Sequence, residues 1–189
     1  MSDKKIPPIL EALQRDHRHF ARIIAVLEHE LERIRNGESE DWKLLADTFE
    51  YFEAYPDLVH HPREDILYRY CRDSCDASLP ALEGLEIEHG QIADITTTLR
   101  QELEGILADG MIDRELLARQ VQEYLAMQKA HMQREESKIF PLLRELLGDD
   151  DWETLEKVAT AKVDPLFDDA SRRAYDALYR RIISREKPG

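Results

Sequence analysis

Four histidines stand where a helix core would carry leucine or isoleucine, and this pattern limits the chain more than any other feature. His17 lies in the run Leu10, Leu13, His17, Phe20, Ile24, Leu27, Leu31. His89 lies in Leu82, Leu85, His89, Ile92, Thr96, Leu99, Leu103, Ile106. His131 lies in Leu117, Val121, Tyr124, Gln128, His131, Glu135, Ile139, Leu142, Leu146, and His60 in a run through Glu64, Leu67 and Cys71. Steps of three and four mark one face of a helix. Polar groups are costly in a core unless something satisfies them. One metal ion satisfies several at once, so the stripes predict helices that share a core and a cation.

The stripes set the helices. The first spans about 8–35 and ends at Asn36-Gly37, as a helix C-terminus should. The second starts near Asp41, carries Leu45, Phe49 and Phe52, and is interrupted at Tyr55-Pro56-Asp57, because a residue before proline disfavours helix. The pattern restarts at Asp57, which predicts a kinked or two-part helix with His60-His61-Pro62 at the joint. The third helix follows a turn at 76–80 and closes at Asp109-Gly110. The fourth runs from Asp113 to Gly148. Short linkers favour antiparallel neighbours. The predicted fold is all-α: an antiparallel up-down four-helix bundle over 1–148. A C-terminal helical appendage over 149–189 packs on it, with short helices at 152–161 and 171–183.

Composition excludes several function classes. With 40 acidic and 26 basic residues the net charge is −14, and no Lys/Arg cluster offers the basic face that a nucleic-acid partner requires. No apolar run approaches bilayer length, and Met1 to Pro8 carries no apolar signal region, so the expected compartment is the cytoplasm, with no membrane partner. A homodimer is compatible with the sequence. Cys71 and Cys75 are spaced C-x3-C, which is neither a redox C-x-x-C nor a disulfide framework. They are expected to be small, partly buried side chains late in the second helix.

On a helix, residues i and i+4 share a face. His60 with Glu64 and His131 with Glu135 can therefore each aim at one spot, joined by His17 and His89 from the other two helices. Mixed nitrogen and oxygen donors suit iron or manganese, and zinc less specifically. His61 either reaches the same spot or faces solvent. Asp16, Glu88, His19 and His29 are expected on the solvent side, and so is Glu136, which is also the main competitor of Glu135 for the carboxylate role. Tyr68, Tyr70 and Tyr124 either hydrogen-bond the ligands or fill the core.

The ordered set Asp16-His17, His60-His61-Pro62-Arg63-Glu64-Asp65, Glu88-His89 and His131-Met132-Gln133-Arg134-Glu135-Glu136 resembles the hemerythrin-like HHE cation-binding family. The resemblance implies two irons per chain, bridged by oxo or hydroxo oxygen and two carboxylates. It makes His17, His60, Glu64, His89, His131 and Glu135 the ligands. Oxygen-carrying members have one more histidine a turn after the third-helix ligand, where this chain has Ala93. Some members instead use the residue after the second-helix ligand, here His61. In the oxygen carriers the fourth-helix carboxylate falls at the position of Glu136. The resemblance implies a partner that is a small molecule such as O2, NO or peroxide, met for sensing, storage or carriage. Two alternatives stand beside it: a di-iron redox enzyme or iron-centre repair factor, and a metal-free helical interaction module. Asp164-Pro165-Leu166-Phe167 is similar to extensions of some bacterial members and receives no role from it.

Overall fold

In the computed structural model, residues 6–38, 41–74, 79–108, 110, 113–159, 164–168 and 175–185 are described, and every regular element among them is helical. Helix α1 (Pro8–Arg35) begins with a proline, whose missing N–H is harmless in a first turn. It ends before Gly37, which adopts φ 71°, a left-handed conformation that is cheap only for glycine. Helix α2 (Trp42–Phe52) is capped by Asp41, whose carboxylate accepts from the Leu44 amide at 3.0 Å. Asp113 caps α5 (Arg114–Arg134) in the same way, accepting from the amides of Glu115 and Leu116. Helix α4 (Leu85–Leu107) starts from Gly84 at φ 82°.

The chain does not break at Tyr55-Pro56-Asp57, where the sequence predicts an interruption. It passes through a π-helical turn, Glu53–His60, into α3 (His61–Ser74). A second π turn, Glu135–Ile139, separates α5 from α6 (Phe140–Leu146), where the sequence predicts one unbroken helix. Each π turn ends two residues before a proline, Pro62 or Pro141. Proline deletes an α-helical hydrogen bond, and a wider turn absorbs the loss without ending the rod. π turns also shift the face presented by everything downstream, which is why they gather at functional sites.

Helix α1 packs on α5, α2 on α4, and α4 on α5. The buried apolar residues fall into two clusters. One holds Phe20, Ile24, Leu27, Phe49, Phe52, Ile92, Leu99 and Val121. The other holds Leu10, Leu13, Leu67, Tyr68, Leu85, Ile139 and Phe140. Each of the four sequence stripes crosses from one cluster to the other, and its histidine falls at the crossing.

The C-terminal residues lie against this frame. Helix α7 (Asp149–Val158) contacts α1 and α3, with Trp152 and Leu155 in the second cluster. Helix α8 (Asp176–Arg185) contacts α1 and α2 and adds Leu178 and Ile182 to the first. Arg185 pairs with Glu30 and Asp41, and Arg181 with Asp41. Glu30 is only 1% exposed and also meets Arg33, so this buried carboxylate is held between two guanidinium groups. Cys71 is buried in the second cluster. Cys75 and the predicted turn at 76–78 lie outside the described residues, as do 169–174, where the last helix was expected to begin.

Leu166 is 0% exposed in the first cluster, although it lies outside any helix. Leu166→Ala is expected to lower the unfolding free energy by about 2–5 kcal/mol, measured by urea denaturation of the full chain with and without the change. A loss within about 0.5 kcal/mol, the range of a surface position, would mean that this segment is not part of the core.

Candidate metal centre

Seven polar side chains form the layer between the two apolar clusters: His17, His60, His61, Glu64, His89, His131 and Glu135. None is more than 5% exposed. They are all the residues that the sequence singles out as candidate ligands, and they face one another. Glu64 stands at the middle. Its Oε1 lies 3.5 Å from His17 Nε2 and 3.3 Å from His60 Nε2, and its Oε2 lies 3.6 Å from His89 Nε2. Glu135 faces it: Oε2 is 3.4 Å from His17 Nε2 and 3.2 Å from His131 Nε2, and Oε1 is 3.6 Å from His89 Nε2. His89 and His131 bring their Nε2 atoms to 3.0 Å.

The seven divide into two donor groups that share Glu64. His17, His60 and Glu64 form one, and His61, Glu64, His89 and His131 form the other. His61 does not face solvent. Its ring stacks on His89 at 4.4 Å between centroids and stands edge-on to His131 at 5.7 Å. It therefore occupies the half of the layer for which Ala93, one turn past His89, has no donor.

The layer fits cations better than it fits itself. Both oxygens of Glu64, Oε2 of Glu135 and Nε2 of His60 are buried and lack a hydrogen-bond partner. Orphaned polar atoms are rare in a core, and one carboxylate with both oxygens orphaned is rarer still. Donor atoms bound about 2.1 Å from a shared ion lie roughly 3.0–3.4 Å apart, close to the 3.0–3.6 Å found here. With nitrogen and carboxylate donors and no thiolate, the site suits iron, manganese or zinc.

Every histidine of the layer has a carboxylate behind it, at Nδ1. Glu136 stands 3.0 Å from His17, Asp16 3.2 Å from His60, Asp57 3.3 Å from His61, Asp65 2.7 Å from His89, and Glu88 3.2 Å from His131. At His17, His60, His89 and His131 the carboxylate is hydrogen-bonded, keeps the proton at Nδ1 and turns Nε2 inward as a donor; His61 Nδ1 and the Asp57 carboxylate lie close but make no aligned hydrogen bond. Four of the five acids adjoin a candidate ligand in sequence and reach across to another helix. Asp16 on α1 meets His60, Asp65 on α3 meets His89, Glu88 on α4 meets His131, and Glu136 meets His17 on α1. The bracing closes on itself around the layer.

These contacts correct the expectation that Asp16 points to solvent, whereas Glu88 and Glu136 stay 38% and 35% exposed while each reaches an imidazole. Asp16 is 1% exposed, and each of the three is committed to an imidazole. Asp57 and Asp65 receive no role at the site from the sequence. The signal was available, since residues adjacent on a helix differ by about 100°, enough to aim one inward and the other at the neighbouring rod. His19 is also not a surface residue: Asp164 Oδ2 lies 3.0 Å from its Nδ1. His29 is exposed, as expected. Tyr68 donates to Glu135 Oε1 at 2.5 Å, Tyr124 meets Thr96 and Gln128, and Tyr70 turns away to Asp151.

The electrostatics follow from this geometry. Burial pulls the His17 imidazole down, but Glu136, Glu64 and Glu135 outweigh it and hold it at about 10. His89 is likewise lowered by burial and raised more strongly by Asp65, Glu135 and Glu64, also to about 10. Glu64 is pushed up by burial yet ends well below the usual range, because His60 and His17 face it. Burial, with His89 beside it, holds His61 well below 6.5, so its nitrogen is available as a neutral donor. Burial lifts the Asp57 carboxyl to about 7.

Without metal, the raised imidazoles stabilise the fold fully below their unfolded value of about 6.5 and lose that effect as pH climbs toward about 10. The chelated protein should therefore lose stability between pH 6.5 and 10. Metal affinity should rise over the same interval, because bound metal requires those nitrogens deprotonated. Urea midpoints in chelator and with ferrous iron, at pH 6.5 and 9, test both signs. A chelated protein equally stable at both would contradict the charge state derived for His17 and His89.

Among the described residues no helix is long and apolar enough to cross a membrane. The chain matches no curated protein and no solved structure. Residues 9–143 match the family model described as the hemerythrin HHE cation-binding domain. That stretch contains all seven residues of the layer and four of its helices' apolar stripes, and the chain belongs to the hemerythrin HHE cation-binding domain family.

Proposed function

We propose that the chain holds two iron ions between α1, α3, α4 and α5 and meets a small molecule such as O2, NO or peroxide there, for sensing, storage or carriage. The observation that carries this reading is Glu64, a fully buried carboxylate whose two oxygens face imidazoles of two different donor groups. A bridging carboxylate needs that arrangement, and a single-ion site does not.

His17 and His60 would hold one iron, and His61, His89 and His131 the other, with Glu64 and Glu135 across both. The first group has one imidazole fewer, which favours exogenous ligand on that side. Phe140 stacks on the His17 ring at 5.5 Å, and Phe20 stands edge-on to His60 at 4.9 Å. These rings shield the two donors from bulk water and surround them with apolar groups. Bound iron would supply the redox change and the binding of the small molecule. Tyr68 fixes one oxygen of Glu135, and the outer carboxylates fix the imidazole protons at Nδ1, so the residues keep their donor atoms in place as charge at the centre changes.

The pairing of α1 with α5 and α2 with α4, the short connections and the family match support an antiparallel up-down four-helix bundle over 1–148, with 149–189 as an extension. The absence of a long apolar helix among the described residues is compatible with a cytoplasmic protein.

Protein purified from iron-supplied cells should carry close to two irons per chain. His131→Ala or Glu64→Ala should reduce that by at least half, whereas His29→Ala, on an exposed site, should leave it unchanged. Metal analysis with far-UV circular dichroism checks all three. Equal loss from His29→Ala, or less than one iron per wild-type chain, would remove the two-iron reading.

A further inference from the structure

We propose that the C-terminal segment Asp164-Pro165-Leu166-Phe167 is part of the metal centre's support, with Asp164 acting as a positioning residue for His60 through Tyr51, Tyr55 and Asp16. The proposal rests on His60 being a metal ligand. Nothing about a helix bundle requires this segment to enter the core, yet Asp164 is 3% exposed and Leu166 is fully buried.

Asp164 is anchored from three sides. Its Oδ1 accepts from the Tyr51 hydroxyl at 3.0 Å and from the Leu166 amide at 2.9 Å, and its Oδ2 lies 3.0 Å from His19 Nδ1. Phe167 stacks on the His19 ring at 4.0 Å, and the Arg22 guanidinium lies 4.9 Å from the Phe167 centroid. The segment is therefore seated on α1 by one carboxylate, one aromatic ring and one buried leucine, and it fixes the Tyr51 ring through its hydroxyl.

From Tyr51 the packing continues inward. Its ring stacks on Tyr55 at 6.2 Å, and Phe20 meets both rings edge-on as well as His60. The Tyr55 hydroxyl donates to Asp16 Oδ2 at 2.9 Å, and the same oxygen accepts from His60 Nδ1 at 3.2 Å. Arg63 approaches that oxygen at 3.7 Å. Asp16 thus meets His60 with one oxygen that Tyr55 also holds. Without the hydroxyl that places it, the carboxylate can rotate away from the imidazole. Asp16, His19 and Asp164 also bring one donor atom each within 4.8 Å of one another. Asp16 Oδ2 and both oxygens of Asp164 are taken up by tyrosine hydroxyls, an amide and imidazoles, so the trio reads as a strut rather than a third ion site.

The test is a stepwise ferrous iron titration of the full chain, anaerobic and against a competing chelator, comparing wild type, Asp164→Ala, Tyr55→Phe and the double variant. Wild type should take up two ions. Each single variant should bind one of the two about tenfold more weakly, the size typical of a lost outer hydrogen bond at a metal site, with the other unchanged. The double variant should be no weaker than either single, because both cut the same strut. Tyr55→Phe leaves the segment itself intact, so it keeps the test if Asp164→Ala fails to fold. Unchanged stepwise affinities, additive losses, or equal weakening of both ions would overturn the proposal. So would a third iron in the wild type. A wild type that binds no iron would instead remove His60 as a ligand, and the premise with it.

Discussion

Two carboxylates with no route to water govern this protein. Glu64 and Glu135 are fully buried in a layer that apolar clusters close from both sides. Ionised carboxylates in such a place must meet positive charge. The chain surrounds them with imidazoles, and the carboxylates raise His17, His60 and His89, which favours protons on those three rings. Protons leave the carboxylate oxygens without aligned partners, however. Cations placed between the two carboxylates would satisfy the same charges and the same orphaned atoms together, so metal binding and core stability are one problem here.

The carboxylates behind the imidazoles make that layer specific. An imidazole can present either nitrogen, and a core of loosely held rings could settle into many arrangements. With an acid hydrogen-bonded at Nδ1, the rings of His17, His60, His89 and His131 each have one orientation left. Because the acids come from neighbouring helices, the rings also fix the helices relative to one another. Asp16 holds α1 to His60, Asp65 holds α3 to His89, Glu88 holds α4 to His131, and Glu136 holds the fourth helix to α1. The polar layer thus sets a register that apolar stripes of period 3.6 leave free to slide.

The sequence made this layer legible because a histidine in an apolar stripe has few explanations. His17, His60, His89 and His131, with Glu64 and Glu135 at i+4, could be placed on inward faces by spacing alone. What spacing could not show is where a helix changes its winding. The π turns at Glu53–His60 and Glu135–Ile139 decide that both His60 and His61 enter the layer and that Glu136, one residue past a candidate ligand, braces His17 instead. Of the prolines that accompany them, Pro56 reads in sequence as an interruption and Pro62 as part of a helix joint, while Pro141 carries no signal there. A proline reports a missing donor, and the packing of the rest decides whether the chain answers with a break or a wider turn. The outer acids were misread for a related reason. An acidic residue beside a ligand is solvent-facing on an isolated helix, and only the neighbouring helix turns that face into an interior.

The C-terminal segment was the least legible part, since Asp164-Pro165-Leu166-Phe167 has no period to place it. Its seat is explained by the same shortage that explains the outer acids. The first helix carries two histidines two residues apart, so they face different ways: His17 inward to the layer, His19 toward the flank. His19 and Tyr51 would each leave a polar group in a largely apolar flank, and Asp164 satisfies both while Leu166, two residues on, is buried in the first cluster. A residue that meets those needs at once can be reached from far along the chain, because closing a longer loop costs little more than closing a shorter one. Distance in sequence is therefore a weak argument against a role at the centre, and the short path from Asp164 to His60 in space is the stronger one.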